Sequence, residues 1–295
     1  MRLAVFHSLA SKSNRLSESP SIPLLQQIQE CASEKSYFRG VELSSSQITK
    51  NVVDLCSSVN LQVLCKLTPD DKEDTFRQLD DLASELSTVE EQTVGEVIRL
   101  VVVEEPPLAA VNITESPVDY LSEVLPVAAQ FMETHPSIGR FKGERNAHGN
   151  PMDNHVLGVC HSLRLLPRRS QVSNEDLPSS SNDEPILQQV MDILDVLPPT
   201  RLSLDAATTT SLGTAINDRN WEMKAWDIEP LVQCIDHFEF VGLDPIRDNG
   251  TQDENGLHQQ IWKWQSEVQV KETYASCSDA ATAESLHDYF KSVIR

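Results

Sequence analysis

Apolar residues recur in this chain with the spacing of an α-helix, segment after segment. Phe76, Leu79, Leu82 and Leu86 fall on one helical face, because positions three and four apart stack above one another on a helix. Just before them, Thr68-Pro69-Asp70-Asp71 supplies a hydroxyl cap, a proline at the first position and acids at the positive end of the helix dipole. Thr88 and Glu91 have capping-box spacing ahead of Val94, Val97, Ile98 and Val101, and Pro106-Pro107 ends that element. Ser116-Pro117-Val118-Asp119 starts another helix, with Leu121, Leu125, Ala128 and Met132 inward and a kink expected at Pro126. Residues 22–31, 47–67, 151–166, 186–197, 226–240 and 257–271 read as further helices. A last helix places Leu286, Tyr289, Phe290 and Val293 on one side.

Strand signals are sparse. There are 10 glycines, and the Asn249-Gly250 and Asn255-Gly256 steps sit in a polar loop rather than between alternating apolar residues. Val101 to Val103 is strand-like but is expected to close a helix. The spacing therefore predicts an all-α fold of roughly ten helices, as an irregular multi-helix bundle or a helical-repeat-like stack. Residues 1–169 form an N-terminal helical region. Residues 170–184, rich in Ser, Asn, Asp and Pro, form a polar linker or long loop. Residues 185–295 form a C-terminal region that holds all four tryptophans.

Charge and cysteine usage narrow the function classes. With 45 acidic and 24 basic residues, the formal net charge is −21. That field repels phosphate backbones and anionic lipid, so neither direct nucleic-acid nor membrane binding is expected. It suits a basic or disordered protein partner. Six scattered cysteines without a Cys-x-x-Cys pair point to reduced thiols in the cytosol or nucleus.

Catalytic signatures are missing: the chain has no phosphate-binding Gly-rich loop, no dinucleotide fingerprint and no Gly-x-Ser-x-Gly elbow. His148, Asp153, His155 and His161 gather zinc-type ligands in a short stretch, but not at the spacing of a familiar metal site. Asp153 is more simply a helix cap after Pro151. No cofactor is expected. Trp221, Trp226, Trp262 and Trp264 are candidate partner-binding residues, because tryptophan is enriched at interface hot spots. Packing in a core is the plainer use of the same residues.

From residue 186 to 240 the order of features resembles the N-terminal helical domain of the elongation factor TFIIS, shared with elongin A and a Mediator subunit. A helix ends at Pro199-Thr200, then Thr210, Leu212, Gly213, Ile216 and Asn217 match a Thr-x-apolar-Gly-x-x-apolar-Asn element, and a helix follows. The chain departs from that pattern in the longer spacing before Thr210 and in Asp218-Arg219-Asn220, where basic residues are usual. The resemblance implies a docking module for short disordered motifs in transcription complexes. The chain is thus expected to be a non-enzymatic helical interaction or scaffold protein, a subunit of a larger intracellular complex. The alternatives are the elongation docking module and a helical metal-dependent enzyme.

Overall fold

The computed structural model describes residues 1–9, 23–33, 37–104, 159–162, 202–204, 229–240 and 252–294, together with 123–124, 126–128, 130–131, 134–135 and 138. Eight strands, all parallel, close into a barrel in chain order. They are β1 (Arg2–Ser8), β2 (Gly40–Ser44), β3 (Gln62–Leu67), β4 (Ile98–Glu104), β5 (Val159–Ser162), β6 (Leu202–Leu204), β7 (Ile235–Glu239) and β8 (Glu272–Cys277). The described helices are α1 (Leu24–Ser33), α2 (Lys50–Ser58), α3 (Lys72–Leu86), α4 (Glu91–Val97), α5 (Glu229–Cys234), α6 (Gln252–Glu267) and α7 (Ala280–Val293). This is the parallel β/α-barrel architecture, and it corrects the all-α expectation.

The physical reason for the error is specific. Parallel strands are joined by crossovers rather than hairpins, and both of their faces are buried. They carry neither the turn residues nor the clean alternation that would mark an antiparallel sheet. The absence of Asn-Gly turns therefore excluded hairpins and nothing more. The segment 47–67 divides into α2 and β3. The expected long helix after Thr88 stops at Val97, and Ile98 to Glu104 runs on as a strand. Residues 226–240 hold the short α5 followed by β7.

Helix α3 is where the spacing predicted it, with Leu79, Leu82 and Leu86 buried. Its cap is Asp71, whose side chain accepts from the backbone N–H of Asp74 at 2.7 Å, rather than Thr68. The capping box at Thr88 does not form, since α4 begins after Glu90 without a side-chain cap.

Along the strands other than β5 the side chains alternate between two cores. Val5, Val41, Leu43, Val63, Cys65, Leu67, Val101, Val103, Leu202, Leu204, Phe238, Ala275 and Cys277 face outward into one large apolar cluster with the helices. Ala4, Phe6, Leu64, Leu100, Val102 and Tyr274 face inward and fill the barrel. Gly40 serves that inner packing. A β-carbon there would lie 2.0 Å from the Gln62 carbonyl oxygen and 2.8 Å from the Phe6 ring. The amino-terminal end of the barrel is sealed by polar groups. Tyr274 Oη donates to Glu272 Oε2 at 3.1 Å, and Arg99 Nη2 lies 3.7 Å from the same oxygen.

Candidate active site

Parallel strands place all their carboxyl ends at one rim, and in barrels of this kind that rim carries the chemistry. Here the inward positions change character toward that end. The apolar Phe6, Leu64, Leu100 and Val102 give way to Ser8, Lys66 and Glu104 on the same strands. On the other strands the inward positions are Glu42, Ser203, His237, Glu239 and Ser276.

Lys66 is the centre of this group. Its Nζ lies 2.7 Å from Glu104 Oε1 and 2.8 Å from Glu239 Oε2, with the lysine side chain 9% exposed. Burial works to lower the pKa of this lysine, but the carboxylates of Glu42, Glu239 and Glu104 outweigh it and hold the ammonium above its ordinary range. The lysine is therefore a fixed positive charge and not a neutral amine nucleophile. Burial also raises the Glu104 carboxyl. Lys66 opposes that rise, and the neighbouring Glu239 and Glu42 add to it. The net effect holds the Glu104 carboxyl above the ordinary carboxylate range.

Below the rim lies a second layer, in which Glu42, Ser203, His237 and Ser276 are buried and Ser8 is half-buried. Ser8 Oγ donates to Glu42 Oε1 at 2.6 Å. The other oxygen, Glu42 Oε2, has no hydrogen-bond partner among the described residues and stands 3.9 Å from His237 Nε2. The His237 ring spans two hydroxyls, with Ser203 Oγ 2.7 Å from Nδ1 and Ser276 Oγ 3.1 Å from Nε2. Burial drives the His237 pKa down to about 3; Glu239 opposes this and Lys66 assists it. The imidazole is neutral, and the nearby carboxylate favours the proton on Nε2, leaving Nδ1 to accept from Ser203. Burial also pushes the Cys56 and Cys277 thiols up to about 12, which makes them poor nucleophiles.

None of these residues stood out in the sequence as a site. The available signal was a single polar residue between apolar neighbours: Val41-Glu42-Leu43, Cys65-Lys66-Leu67, Leu202-Ser203-Leu204 and His237-Phe238-Glu239-Phe240. Of the expected metal ligands, His148, Asp153 and His155 lie outside the described residues. His161 lies in β5, in register with Val103 and Leu202. Among the described residues no group of three or more His, Cys, Asp or Glu converges as a metal site.

Trp262 and Trp264 are buried, at 0% and 4% exposure. Trp262 packs edge-on against Phe238, Tyr289 and Phe290. Trp221 and Trp226 lie outside the described residues, as do Thr210, Leu212, Gly213, Ile216 and Asn217. No described helix is long and apolar enough to cross a membrane.

No family model matches the chain, and no curated protein matches it. Solved structures do. A D-psicose 3-epimerase from Clostridium cellulolyticum, solved with D-tagatose, aligns over 100% of both chains with a TM-score of 0.52 at 8% identity. A xylose isomerase-like TIM barrel protein from Mycobacterium smegmatis, in complex with magnesium, aligns over 100% of this chain and 98% of its own, with a TM-score of 0.52 at 9% identity. A xylose isomerase domain protein from Alicyclobacillus acidocaldarius subsp. acidocaldarius gives 0.50 at 12% identity, over 99% and 98%.

Three expectations fall with these findings. The likeness to the TFIIS helical domain does not hold, because residues 202–204 and 235–239 of that segment are barrel strands. The non-enzymatic helical scaffold and the helical metal-dependent enzyme both presuppose an all-α chain. The structures this chain resembles are instead barrels named as epimerases and xylose isomerase-like proteins. At these identities the likeness establishes the fold: this chain is a TIM barrel.

Proposed function

We propose that this barrel is an enzyme that moves a proton on carbon next to a carbonyl, in a small neutral polyhydroxylated substrate such as a ketose or aldose. The observation that carries the proposal is Lys66 held between Glu104 and Glu239 at the carboxyl ends of β3, β4 and β7. Such a reaction needs a base for the C–H proton, an acid to return it, and a positive charge where an oxyanion develops. Glu239 supplies the carboxylate base. Glu104, with its raised pKa, carries the proton that returns to carbon. The Lys66 ammonium stabilises the enediolate oxygen. The C–H electron pair becomes the enediolate double bond. It then takes up a proton at the opposite face or at the adjacent carbon, giving an epimer or an isomer. The names of the similar structures favour this class. A cytosolic or nuclear location belongs to the same proposal and rests on the cysteine spacing.

One similar structure is described with magnesium. The described residues here do not fit such an ion. The Lys66 ammonium already contacts both rim carboxylates at hydrogen-bond distance, so the polarising charge is assigned to it.

The test is incubation in deuterated water with a panel of unphosphorylated ketoses and aldoses, followed by NMR and chromatography. Deuterium at the carbon next to the carbonyl, with new epimer or isomer, is expected from the wild type. Glu239→Gln should lose at least about a hundredfold of this, the scale of a lost general base. No exchange with any sugar, or full exchange by Glu239→Gln, would overturn the proposal.

A further inference from the structure

We propose that the Lys66 ammonium is the resident cation of this carboxylate site. In that case the site takes no divalent metal while Lys66 is present, and takes one when the ammonium is removed. The inference concerns the same residues as the proposed activity but does not depend on it, because metal binding is read without substrate.

The geometry carries it. Three carboxylates from three strands, Glu42, Glu104 and Glu239, all act on Lys66. Two of them contact Nζ at 2.7 and 2.8 Å. Glu42 is 1% exposed, and its Oε2 has no hydrogen-bond partner among the described residues. A buried carboxylate oxygen without a partner is costly, and here it is offset by charge rather than by a hydrogen bond. Hard divalent ions bind carboxylate oxygens, at roughly 2.1 Å for Mg²⁺, and Glu104 and Glu239 supply two of them around Nζ. Removing Nζ would require Glu104 and Glu239 to move inward by only about 0.6 Å each to reach that distance. While Nζ is in place, the position between Glu104 and Glu239 is filled.

Mn²⁺ titration by calorimetry or electron paramagnetic resonance tests this. Wild type should show no saturable binding up to about 1 mM. Lys66→Met, and Lys66→Ala as a second variant, should each bind one Mn²⁺ at least about a hundredfold more tightly than wild type. Adding Glu104→Gln or Glu239→Gln should abolish that binding. If a Lys66 variant is unfolded alone, Mn²⁺ should restore its circular dichroism, because a ligand of the native state stabilises it by mass action. Wild-type binding that Glu104→Gln removes would overturn the inference. So would Lys66→Met and Lys66→Ala proteins that neither bind Mn²⁺ nor refold with it.

Discussion

Replacing Lys66 with Met keeps the stem of the side chain and removes the charge. Glu104 and Glu239 are then left facing each other at the barrel mouth with no cation between them. Their side chains are 26% and 23% exposed and that of Lys66 is 9% exposed, so water can compensate only in part. Breaking a buried ion pair from one side costs about 3–5 kcal/mol. The residual exposure puts this case at the lower end, about 3 kcal/mol. The pH dependence has a definite sign. Glu104 is already raised in the native state, and without Lys66 it rises further. A carboxyl whose folded pKa exceeds its unfolded value destabilises the fold progressively as pH climbs from the unfolded value to the folded one. Urea unfolding should therefore show a deficit of about 3 kcal/mol at about pH 8 that becomes smaller near pH 5. A loss under about 1 kcal/mol at the higher pH, or an equal loss at both, would refute the ion-pair geometry.

Three further outcomes follow from other parts of the barrel. Gly40→Ala should lower stability by about 2–3 kcal/mol in thermal melts, because the added carbon meets the Gln62 carbonyl and the Phe6 ring; an unchanged melting temperature would contradict the inner packing. Burial holds His237 down to about 3 and His258 down to about 4. Their neutral forms stabilise the fold above the unfolded value near 6.5, and that contribution is lost as pH falls toward those values, at up to about 1.4 kcal/mol per pH unit for each. His237→Asn should flatten the acid limb of the stability curve, and an unchanged slope would count against a buried neutral imidazole. For the proposed reaction, Glu104→Gln should lower kcat by about a hundredfold or more in the deuterium exchange assay, with little change in KM; equal kcat would remove Glu104 from proton transfer.

The helices were more legible than the strands, for a physical reason. Helix α3 is 15 residues long, and its stripe of Leu79, Leu82 and Leu86 recurs at helical spacing, long enough for the period to show. Strand β6 has three residues and β2 has five, too few for any period. The sequence from Val97 to Val103 is apolar except for Arg99. Nothing local marks where α4 ends and β4 begins at Ile98. Tertiary closure decides it, because residues 98–104 pair with β3 on one side and β5 on the other.

The site was hidden for a related reason. Lys66 and Glu239 are 173 positions apart, and Ser203, His237 and Ser276 meet only because successive strands place alternate residues inside the barrel. The histidines that drew attention in the sequence, His148, His155 and His161, were conspicuous because they are close along the chain. Chain proximity is not how a barrel assembles its mouth. The pattern that was present, a lone Glu, Lys, Ser or His between apolar neighbours, becomes informative once both faces of each strand are known to be buried.

The juxtaposition of Lys66 and Glu239 is tested most directly by a double-mutant cycle. Stabilities would be measured for wild type, Lys66→Met, Glu239→Gln and the double variant. A parallel cycle would pair Lys66→Met with Glu267→Gln, at the exposed end of α6. Contacting charges couple by about 0.5–3 kcal/mol, while distant residues add within about 0.3–0.5 kcal/mol. With a 2.8 Å contact, the Lys66–Glu239 cycle should give a favourable coupling of at least about 1.5 kcal/mol, and the control should be additive. Additivity in both cycles would mean that β3 and β7 do not bring these side chains together, and the barrel-mouth site would not exist.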